Sequence, residues 1–425
     1  MEQYKILLIG QGGREMALLD ALLRSPSVKE VHIAPGSDAM EKLPRSIRHA
    51  ISADDVEDIV DLAKSIQPDL TLIGPEAPLA LGLTDHLKKA GFTVFAPSQA
   101  AARIESSKEY AKELMVKAGV PTANFATYVG NSALEQKIKD PATTYPIVLK
   151  ENGLRAGKGV SICHTVEEAE EFLAPLELSP HDPVILEEFL QGYEFSLIVL
   201  AHDEHYFPLP IAQDHKPLLD SNLGPNTGGM GAVSPVPRIS KALIKESEEK
   251  VIRPILKALK EDGNPFTGFL YAGLMATQDG VKVIEFNARF GDPEAEVILP
   301  RLQGDFAQAL FNCLEGQEIS CLEIDPRLCL GVVLASPGYP VKVTESPFIP
   351  RALTEPDDPA IQIFHMGSKE VEDGQYQAKG GRVIMPVCLG DNLATCQRKI
   401  YNFLEKLPPH NFHYRKDIGN FAEEG

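Results

Sequence analysis

The chain is most informative over residues 283–294, which read Val283-Ile284-Glu285-Phe286-Asn287-Ala288-Arg289-Phe290-Gly291-Asp292-Pro293-Glu294. The stretch begins as an apolar strand, and Glu285 and Asn287 are two residues apart, so their side chains share one face. Carboxylate and amide oxygens suit Mg²⁺, an ion that usually completes its coordination with phosphate and water. Arg289 follows on that face and can bind phosphate or carboxylate through two hydrogen bonds. The stretch predicts a metal–phosphate site, although by itself it could also be a strand that ends in a turn.

The composition indicates a globular protein and argues against two classes of partner. The 425 residues are 44% hydrophobic and 24% charged, enough to bury the cores of two or three domains. The net charge of −19 argues against non-specific binding to nucleic acid or to an anionic membrane. The six cysteines contain no Cys-x-x-Cys pair, so we expect reduced thiols, mostly in the core. No apolar run approaches the roughly 20 residues of a membrane span, and no signal segment is recognisable, so we expect a cytoplasmic protein.

Alternating strands and helices divide the chain into three parts. Residues 1–102 contain short apolar strands separated by helical segments such as 56–66 and 80–90, the pattern of an α/β domain with a parallel sheet. A helix predicted at 108–118 ends at Gly119-Val120-Pro121, and a compact unit follows to about residue 190. A central portion continues to residue 325, and a third part occupies residues 326–425.

A glycine-rich loop lies inside the compact unit and reads Gly153-Leu154-Arg155-Ala156-Gly157-Lys158-Gly159-Val160. Glycines let backbone N–H groups approach phosphate oxygens closely. The loop is not a Walker A motif, because its glycine spacing is shorter and a strand follows instead of a helix. A mobile hairpin is the alternative. Lys150, at the end of the preceding strand, favours phosphate binding.

The compact unit rejoins the central portion at Glu187-Glu188-Phe189-Leu190-Gln191-Gly192-Tyr193-Glu194. Backbone groups at the end of a strand can pair with an adenine edge. A carboxylate such as Glu194 can accept hydrogen bonds from two ribose hydroxyls. A solvated acidic turn is the alternative.

A long loop follows, with Gln213-Asp214-His215-Lys216 at its start and Gly224-Pro225-Asn226-Thr227-Gly228-Gly229-Met230-Gly231 at its end. A loop of this length in a compact domain is usually functional or disordered. The side chains of Asp214, Lys216, Asn226 and Thr227 are suited to hold a small zwitterion or sugar hydroxyls. We expect His215 to support the loop, not to act as a base.

The first strand ends in Gly10-Gln11-Gly12-Gly13-Arg14-Glu15, which lacks the third glycine of a dinucleotide-binding loop. A glycine turn at a helix amino terminus nevertheless binds anions. Gly74-Pro75-Glu76 ends another strand, and ligands of open α/β sheets bind at such carboxyl ends. The two segments predict a sugar-phosphate site, and a dehydrogenase site is a weaker alternative.

Taken in order, these motifs resemble the phosphoribosylamine–glycine ligase family of ATP-grasp enzymes. The resemblance extends over nearly the whole chain. Besides the segments above, it rests on Gly74-Pro75-Glu76-Ala77-Pro78-Leu79, Ala156-Gly157-Lys158-Gly159-Val160, Gly268-Phe269-Leu270-Tyr271-Ala272-Gly273-Leu274-Met275, Gly380-Gly381-Arg382-Val383 and Arg415-Lys416-Asp417-Ile418-Gly419.

The resemblance implies a fold, an activity and cofactors. The fold has an amino-terminal parallel α/β domain (1–102), an ATP-grasp domain (103–325) with a mobile lid at about 121–190, and a small mixed carboxy-terminal domain (326–425). The activity is ligation of glycine to 5-phosphoribosylamine through glycyl phosphate, with ATP and Mg²⁺ or Mn²⁺. We expect a monomer or weak dimer whose only partners are small-molecule substrates.

The resemblance also implies roles for individual residues. Three would act in catalysis: Lys150, Arg289 and Asp292. The nucleotide would be bound by Lys108, Lys150, Gly157, Lys158, Gly159, Glu187, Phe189 and Glu194, and the metal by Glu285 and Asn287. The other substrates would be bound by Gly12, Gly13, Arg14, Glu76, Asp214, Lys216, Asn226, Thr227 and Arg382.

Several side chains depart from the usual pattern of the family. Met16 replaces a His, Ser37 an Asn, Asn152 an Asp, Arg155 an Ala, Pro217 an Arg, Asn222-Leu223 an Asp-Thr, and Ala378-Lys379 a Thr-Asn or similar pair. These changes spare the predicted nucleotide and metal residues. The changes at Met16, Ser37 and Pro217 keep open a paralogous carboxylate–amine ligase with a different amine acceptor. A nucleotide-binding regulator without turnover is a separate alternative, against which the intact Glu285, Asn287 and Lys150 argue.

Overall fold

The computed structural model describes residues 3–154 and 159–420. Its first part is a five-stranded parallel sheet in the order β3-β2-β1-β4-β5. The strands are β1 (Tyr4–Gly10), β2 (Val28–Pro35), β3 (Ser46–Arg48), β4 (Leu70–Ile73) and β5 (Val94–Phe95). The helices are α1 (Gly13–Arg24), α2 (Asp38–Glu41), α3 (Val56–Ile66), α4 (Glu76–Ala80), α5 (Leu83–Lys89) and α6 (Arg103–Ser106). The predicted sugar-phosphate segments follow β1 and β4, so they lie at adjacent carboxyl ends.

The lid is a four-stranded antiparallel sheet in the order β6-β9-β7-β8, with two helices against it. It follows helix α7 (Lys108–Ala118), whose bounds agree with the prediction. The lid elements are β6 (Phe125–Tyr128), α8 (Asn131–Lys139), β7 (Ile147–Glu151), β8 (Val160–Cys163), α9 (Val166–Leu173) and β9 (Val184–Glu188). Residues 155–158 of the glycine loop, which include Gly157 and Lys158, lie outside the described residues.

A second antiparallel sheet forms the centre, in the order β11-β10-β16-β17. In chain order the elements are β10 (Tyr193–His202), β11 (His205–Pro208), β12 (Gln213–Asp214), β13 (Pro217–Leu219), β14 (Leu223–Asn226), β15 (Gly231–Ser234), α10 (Lys241–Ser247), α11 (Arg253–Glu261), β16 (Thr267–Thr277) and β17 (Gly280–Asn287). A π-helical turn, Glu248–Ile252, joins α10 to α11. The predicted metal ligands lie at the end of β17.

A six-stranded sheet combines the third part of the chain with the long loop. Its order is β12-β15-β20-β25-β21, and β22 also pairs with β25. The elements are α12 (Ala295–Ile298), β18 (Leu302–Gly304), α13 (Phe306–Leu314), β19 (Leu322–Ile324), β20 (Leu328–Val332), β21 (Leu334–Ala335), α14 (Arg351–Thr354), β22 (Ile361–His365), β23 (Ser368–Glu372), β24 (Gln375–Ala378), β25 (Arg382–Gly390) and α15 (Leu393–Glu405). Strands that flank the predicted substrate loop therefore belong to the sheet of the carboxy-terminal part.

The hydrophobic core joins the first part to the central sheet. Two large clusters of buried residues extend from the parallel sheet into the central strands, and Phe95 and Phe269 meet edge to face with ring centroids 5.2 Å apart. The lid has a small cluster of its own, which includes Leu134 and Leu149. Burial of apolar area stabilises each cluster by roughly 25 cal/mol per Å². The parallel and central sheets are therefore packed together, whereas the lid packs around its own cluster.

All six cysteines are free thiols, as predicted, and all but Cys321 are buried. Within residues 3–154 and 159–420, we find no helix with the length and apolar character needed to cross a bilayer.

Candidate active site

A cavity of about 490 Å³ lies where the parallel sheet, the lid and the central sheet meet. Most of the predicted site residues contribute to its wall: Arg14, Glu76, Lys108, Lys150, Gly159, Glu187, Phe189, Glu194, Asp214, Lys216, Asn226, Thr227, Glu285, Asn287, Arg289, Asp292 and Arg382. Gly12 and Gly13 do not line it, although they precede Arg14 directly. The chain thus brings together segments that are far apart in sequence.

Two lysines and a glutamate form a buried cluster on the lid side of the cavity. The Nζ atoms of Lys150 and Lys112 each lie 3.0 Å from a different carboxylate oxygen of Glu187. Lys150 also donates to the carbonyl of Ile284, and Lys112 to the hydroxyl of Thr122. Burial lowers the pKa of Lys112 to about 8, while Glu187 acts in the opposite direction. The carboxylate of Glu187 therefore orients two ammonium groups. The sequence alone did not indicate a role for Lys112.

Lys108 connects helix α7 to the beginning of the glycine loop. Its Nζ atom donates to the carbonyl oxygen of Gly153 at 2.8 Å. The backbone N–H of Glu109 donates to the side-chain oxygen of Asn152 at 3.3 Å. The first turn of α7 thus holds the entrance of the loop, and the ammonium group of Lys108 lies on the cavity wall.

The predicted metal ligands, Glu285 and Asn287, both line the cavity. Burial alone would raise the pKa of Glu285, but nearby Lys216 and Lys150 hold it below its usual value, so this carboxylate is ionised. Among the described residues no group of three or more His, Cys, Asp or Glu could hold a metal ion. A carboxylate and an amide oxygen fit Mg²⁺ if phosphate and water supply the other ligands.

Near the predicted metal ligand Glu285, Lys216 forms an ion pair with Glu194 at an N–O distance of 3.1 Å. Asp214 lines the cavity beside them. Burial raises the pKa of Asp214 to about 7, Lys216 opposes this, and Glu294 adds to it. Glu194, expected at a ribose, therefore contacts a loop residue in this structure.

A hydrogen-bonded triad supports this wall and was not predicted. The hydroxyl of Tyr271 lies 2.9 Å from that of Ser196, and both donate to Glu294 at 3.1 and 2.9 Å. The three side chains are buried. Glu294 ends the stretch at residues 283–294, but nothing in that stretch indicates Tyr271 or Ser196 as its partners.

Arg289 crosses from the central sheet to the first part of the chain. Its Nη2 atom lies 3.1 Å from Glu105, and its Nε atom lies 3.6 Å from Glu76. Glu105 also accepts the backbone N–H of Ala288 at 2.7 Å. Burial raises the pKa of Glu105, and the arginine opposes this effect. Glu105, which the sequence did not single out, therefore orients the predicted catalytic arginine.

Arg14 lies at the amino terminus of α1 and is almost fully buried. Its Nε atom donates to Glu15 at 2.6 Å, and its Nη1 atom donates to the carbonyl of Phe290 at 3.3 Å. The other oxygen of Glu15 accepts the N–H of Gly12 at 2.7 Å. A Cβ atom at Gly13 would clash with Glu296, so only glycine allows this close approach.

Arg382, from the carboxy-terminal part, closes the remaining side. Its Nη2 atom lies 2.9 Å from Asp292, and its Nη1 atom donates to the carbonyls of Asp292 and Gly228 at 2.9 and 2.6 Å. The guanidinium group thus joins strand β25, the segment after the predicted metal ligands and the long loop.

The side chains that depart from the family pattern do not line the cavity within the described residues. Met16 is 7% exposed and packs in the core, and Ser37 caps helix α2. Pro217 and Asn222 contact Arg415 through a carbonyl and a side-chain oxygen. Arg155 lies outside the described residues. The departures therefore give no geometric support for a different amine substrate.

Three sequence models of the phosphoribosylglycinamide synthetase family match the chain: the N domain over residues 4–105, the ATP-grasp (A) domain over 106–295 and the C domain over 329–421. The phosphoribosylamine–glycine ligase of Lactococcus lactis is 43% identical over 98% of this chain and 100% of its own length. The enzyme of the same name from Listeria monocytogenes is 41% identical, with the same coverage.

Solved structures agree with these relatives. The crystal structure of phosphoribosylamine–glycine ligase from Thermotoga maritima superposes with a TM-score of 0.81 at 31% identity, covering 97% of this chain and all of that one. A biotin carboxylase domain from Hydrogenobacter thermophilus, solved with MgADP, ADP and bicarbonate, shares the fold with a TM-score of 0.72 at 15% identity, over 97% and 92% of the two chains. The chain belongs to the phosphoribosylamine–glycine ligase family and is an ATP-dependent ligase with an ATP-grasp domain.

Proposed function

We propose that the protein joins glycine to 5-phosphoribosylamine, coupled to cleavage of ATP, and releases glycinamide ribonucleotide, ADP and phosphate. The observation that carries this proposal is a single cavity with two oxygen ligands on β17, lysines on the lid side and arginines on the other side. The relatives named for this reaction match over nearly the whole chain.

The reaction needs activation of a carboxylate, because oxide is a poor leaving group. Transfer of the γ-phosphoryl group of ATP to the glycine carboxylate gives glycyl phosphate. The amine of phosphoribosylamine then attacks the carbonyl carbon, a C–N bond forms and phosphate leaves. Such chemistry depends on positioning and charge neutralisation more than on covalent participation of the protein.

Lys108 and Lys150 would hold the nucleotide phosphates, with Glu187 fixing the direction of Lys150 and the backbone of Phe189 facing the base. Glu285 and Asn287 would bind Mg²⁺, for which Mn²⁺ could substitute. That ion would neutralise charge on the transferring phosphoryl group. Closure of the lid, with Gly157, Lys158 and Gly159 near the phosphates, would exclude water, which otherwise hydrolyses an acyl phosphate.

Arg289 and Asp292 would face the acyl phosphate, since both line the cavity and follow the predicted metal ligands within five residues of Asn287. Arg14, Glu76 and Arg382 would bind the ribose phosphate side, with Gly12 and Gly13 shaping the turn behind them. The remaining predicted substrate residues lie on the long loop: Asp214, Lys216, Asn226 and Thr227.

The test is ADP release with each substrate omitted in turn. We expect release only when glycine and phosphoribosylamine are both present with Mg²⁺ or Mn²⁺. Glu285→Gln should lower kcat by about a hundredfold or more, because it removes a charge that binds the metal. Glu249→Gln, at an exposed helical position, is the matched control. ADP release only with another amine would establish the paralogous ligase, and nucleotide binding without release would establish the regulator.

The oligomeric state stays a prediction, a monomer or weak dimer. Light scattering at micromolar concentration, with and without nucleotide, would check it.

A further inference from the structure

The tail of the chain, residues 415–419, packs against the long loop that carries the predicted substrate residues, which we call the acceptor loop (residues 214–231). Arg415 is only 1% exposed. Its guanidinium group donates to both oxygens of Asp417 at 2.8 and 2.9 Å. It also donates to the carbonyl of Pro217 at 3.1 Å and to the side chain of Asn222 at 3.0 Å. One buried side chain thus joins the tail to two points of the acceptor loop.

Two further contacts continue this connection along the outer part of the acceptor loop. Asp417 accepts the backbone N–H of Ser221 at 2.7 Å, and Asp220 accepts the backbone N–H of Lys416 at 2.7 Å. Burial alone would raise the pKa of Asp417, but the hydrogen bonds from Arg415 and Ser221 hold it below its usual value. Ser221 and Asn222 both have left-handed φ angles, of 59° and 57°. Such a conformation persists only where neighbouring groups hold it.

The inner part of the acceptor loop is also held by the tail. The backbone N–H of Gly419 donates to Nε2 of His215 at 3.1 Å. Burial lowers the pKa of His215 to about 3, so the ring is neutral and can accept this bond. As predicted, His215 supports the loop. The residues on each side of it, Asp214 and Lys216, line the cavity.

The acceptor loop transmits this support to the cavity through its own hydrogen bonds. Thr227 donates to the carbonyl of Lys216 from its N–H at 2.9 Å and from its hydroxyl at 2.7 Å. Gly228 accepts from Arg382 at 2.6 Å. Residues 219–226 are all exposed, so the hydrophobic core cannot fix their position. The tail is therefore one source of order for this part of the loop, together with the pairing of β13 with β14.

We propose that Arg415 is a positioning residue for the acceptor half of the reaction: through the acceptor loop it places Lys216, Thr227 and the carbonyl partner of Arg382 around phosphoribosylamine. On the nucleotide side, α7, the lid and β17 make none of these bonds with the tail. One link to that side is the ion pair of Lys216 with Glu194, the predicted ribose ligand, so we expect at most a small change in ATP binding. The kinetic consequence of this inference rests on the proposed function.

The hydrogen bonds of Arg415 require the planar guanidinium group of arginine. Its hydrogen bonds to Asp417, Pro217 and Asn222 come from three nitrogens in fixed directions, and a lysine ammonium group cannot reproduce them. Arg415→Lys keeps the charge and loses the fork. Arg351→Lys is the matched control, because Arg351 forms an exposed ion pair with Glu355 elsewhere in the carboxy-terminal part.

We expect Arg415→Lys to raise the KM for phosphoribosylamine, formed in situ from ribose 5-phosphate and ammonia, by roughly tenfold or more. The KM for ATP should change by less than about twofold. Asp220→Ala, at an exposed position where global unfolding is not a concern, should shift the acceptor KM in the same direction by a smaller factor. Arg351→Lys should leave all constants at their wild-type values.

Hydrogen–deuterium exchange of peptides covering residues 214–231 supplies a readout independent of substrate. Faster exchange there in Arg415→Lys, with unchanged exchange in α7 and β17, would support the inference. Unchanged acceptor KM values in both variants, or an equal rise for ATP, would overturn it. If the wild-type protein released no ADP with glycine and phosphoribosylamine, the proposed function would fall, and exchange alone would decide whether the tail holds the loop.

Discussion

Some charged residues of the site belong to short motifs that the sequence shows. Others acquire a role only through contacts with residues that are distant in sequence. Glu285 and Asn287 could be predicted, because their spacing on a strand implies a shared face. Lys112 and Glu105 could not, since each is one of several charged residues in its helical segment and nothing in the sequence distinguishes it from the others. Their roles come from ion-pair partners on other elements: Glu187 lies 3.0 Å from Lys112, and Arg289 lies 3.1 Å from Glu105. Helical periodicity indicates which face is buried but not what that face meets.

Glu296 is a second residue that only the structure reveals. It is fully buried, and neither of its carboxyl oxygens has a hydrogen-bond partner among the described residues. Burial raises the pKa of Glu296 well above its usual value, and nearby Asp292 adds to this effect. The folded protein therefore holds this carboxyl protonated at a pH where the unfolded chain has it ionised.

Glu296→Gln should stabilise the protein at neutral pH. A raised folded pKa means that stability falls as pH rises above about 4.5, by about 1.4 kcal/mol for each unit that separates the folded and unfolded pKa values. Glutamine has nearly the same shape as glutamate, and its side chain does not ionise. We expect a Tm increase of a few degrees at pH 7.5 and almost none at pH 4.5 by differential scanning fluorimetry.

Glu315→Gln, at an exposed position, serves as the control for this comparison. A Tm that drops in Glu296→Gln at pH 7.5 would show instead that Glu296 is ionised and paired in the folded state.

Individual helices and strands followed their sequence patterns where one apolar face repeated without interruption. The helices predicted at Val56–Ile66 and Lys108–Ala118 have the observed bounds. The helix predicted over residues 80–90 is confirmed as α5 (Leu83–Lys89), but its predicted start was wrong: Ala80 ends α4, and a break precedes Leu83. The break occurs at Gly82, whose φ of +80° no helix contains. A glycine inside a periodic pattern can continue a helix or end it, and the sequence does not distinguish the two outcomes.

Gly82→Ala should destabilise the protein by about 1 kcal/mol, because alanine is strained at a left-handed φ. The nearest atom to an added Cβ is 3.4 Å away, so steric contact contributes little. Gly82→Asn should lose less stability, since asparagine tolerates this conformation better. Equilibrium denaturation in urea would measure both variants. Equal losses in the two would contradict a conformational origin.

At the scale of the whole molecule, the hydrophobic cores indicate which parts move together and which part moves separately. The parallel and central sheets share two large hydrophobic clusters, whereas the lid packs around its own small one. The strand and glycine patterns located a compact unit, and the family resemblance implied that this unit is a lid. It could not show that β12 and β15 belong to the carboxy-terminal sheet, because pairing between distant strands has no local signature.

A non-hydrolysable ATP analogue with Mg²⁺ should slow hydrogen exchange in lid strands β7 and β8 far more than in β20 and β25. The lid makes few core contacts with the rest of the molecule, so bound phosphates supply what holds it closed. Mass spectrometry of the two sets of peptides would measure the difference. The same analogue with Glu285→Gln is the control, and equal slowing in both sheets would refute an independently moving lid.

The six-stranded sheet also affects how a newly synthesised chain forms its active site. Strand β15 pairs with β20, and β20 with β25, so segments from both ends of a long stretch of sequence must meet before the sheet exists. Pairing across such separations forms slowly relative to local structure. Because Arg382 lies at the start of β25, a chain in which β25 has not yet paired would lack the guanidinium group that joins Asp292 to Gly228, and this side of the cavity would be left open.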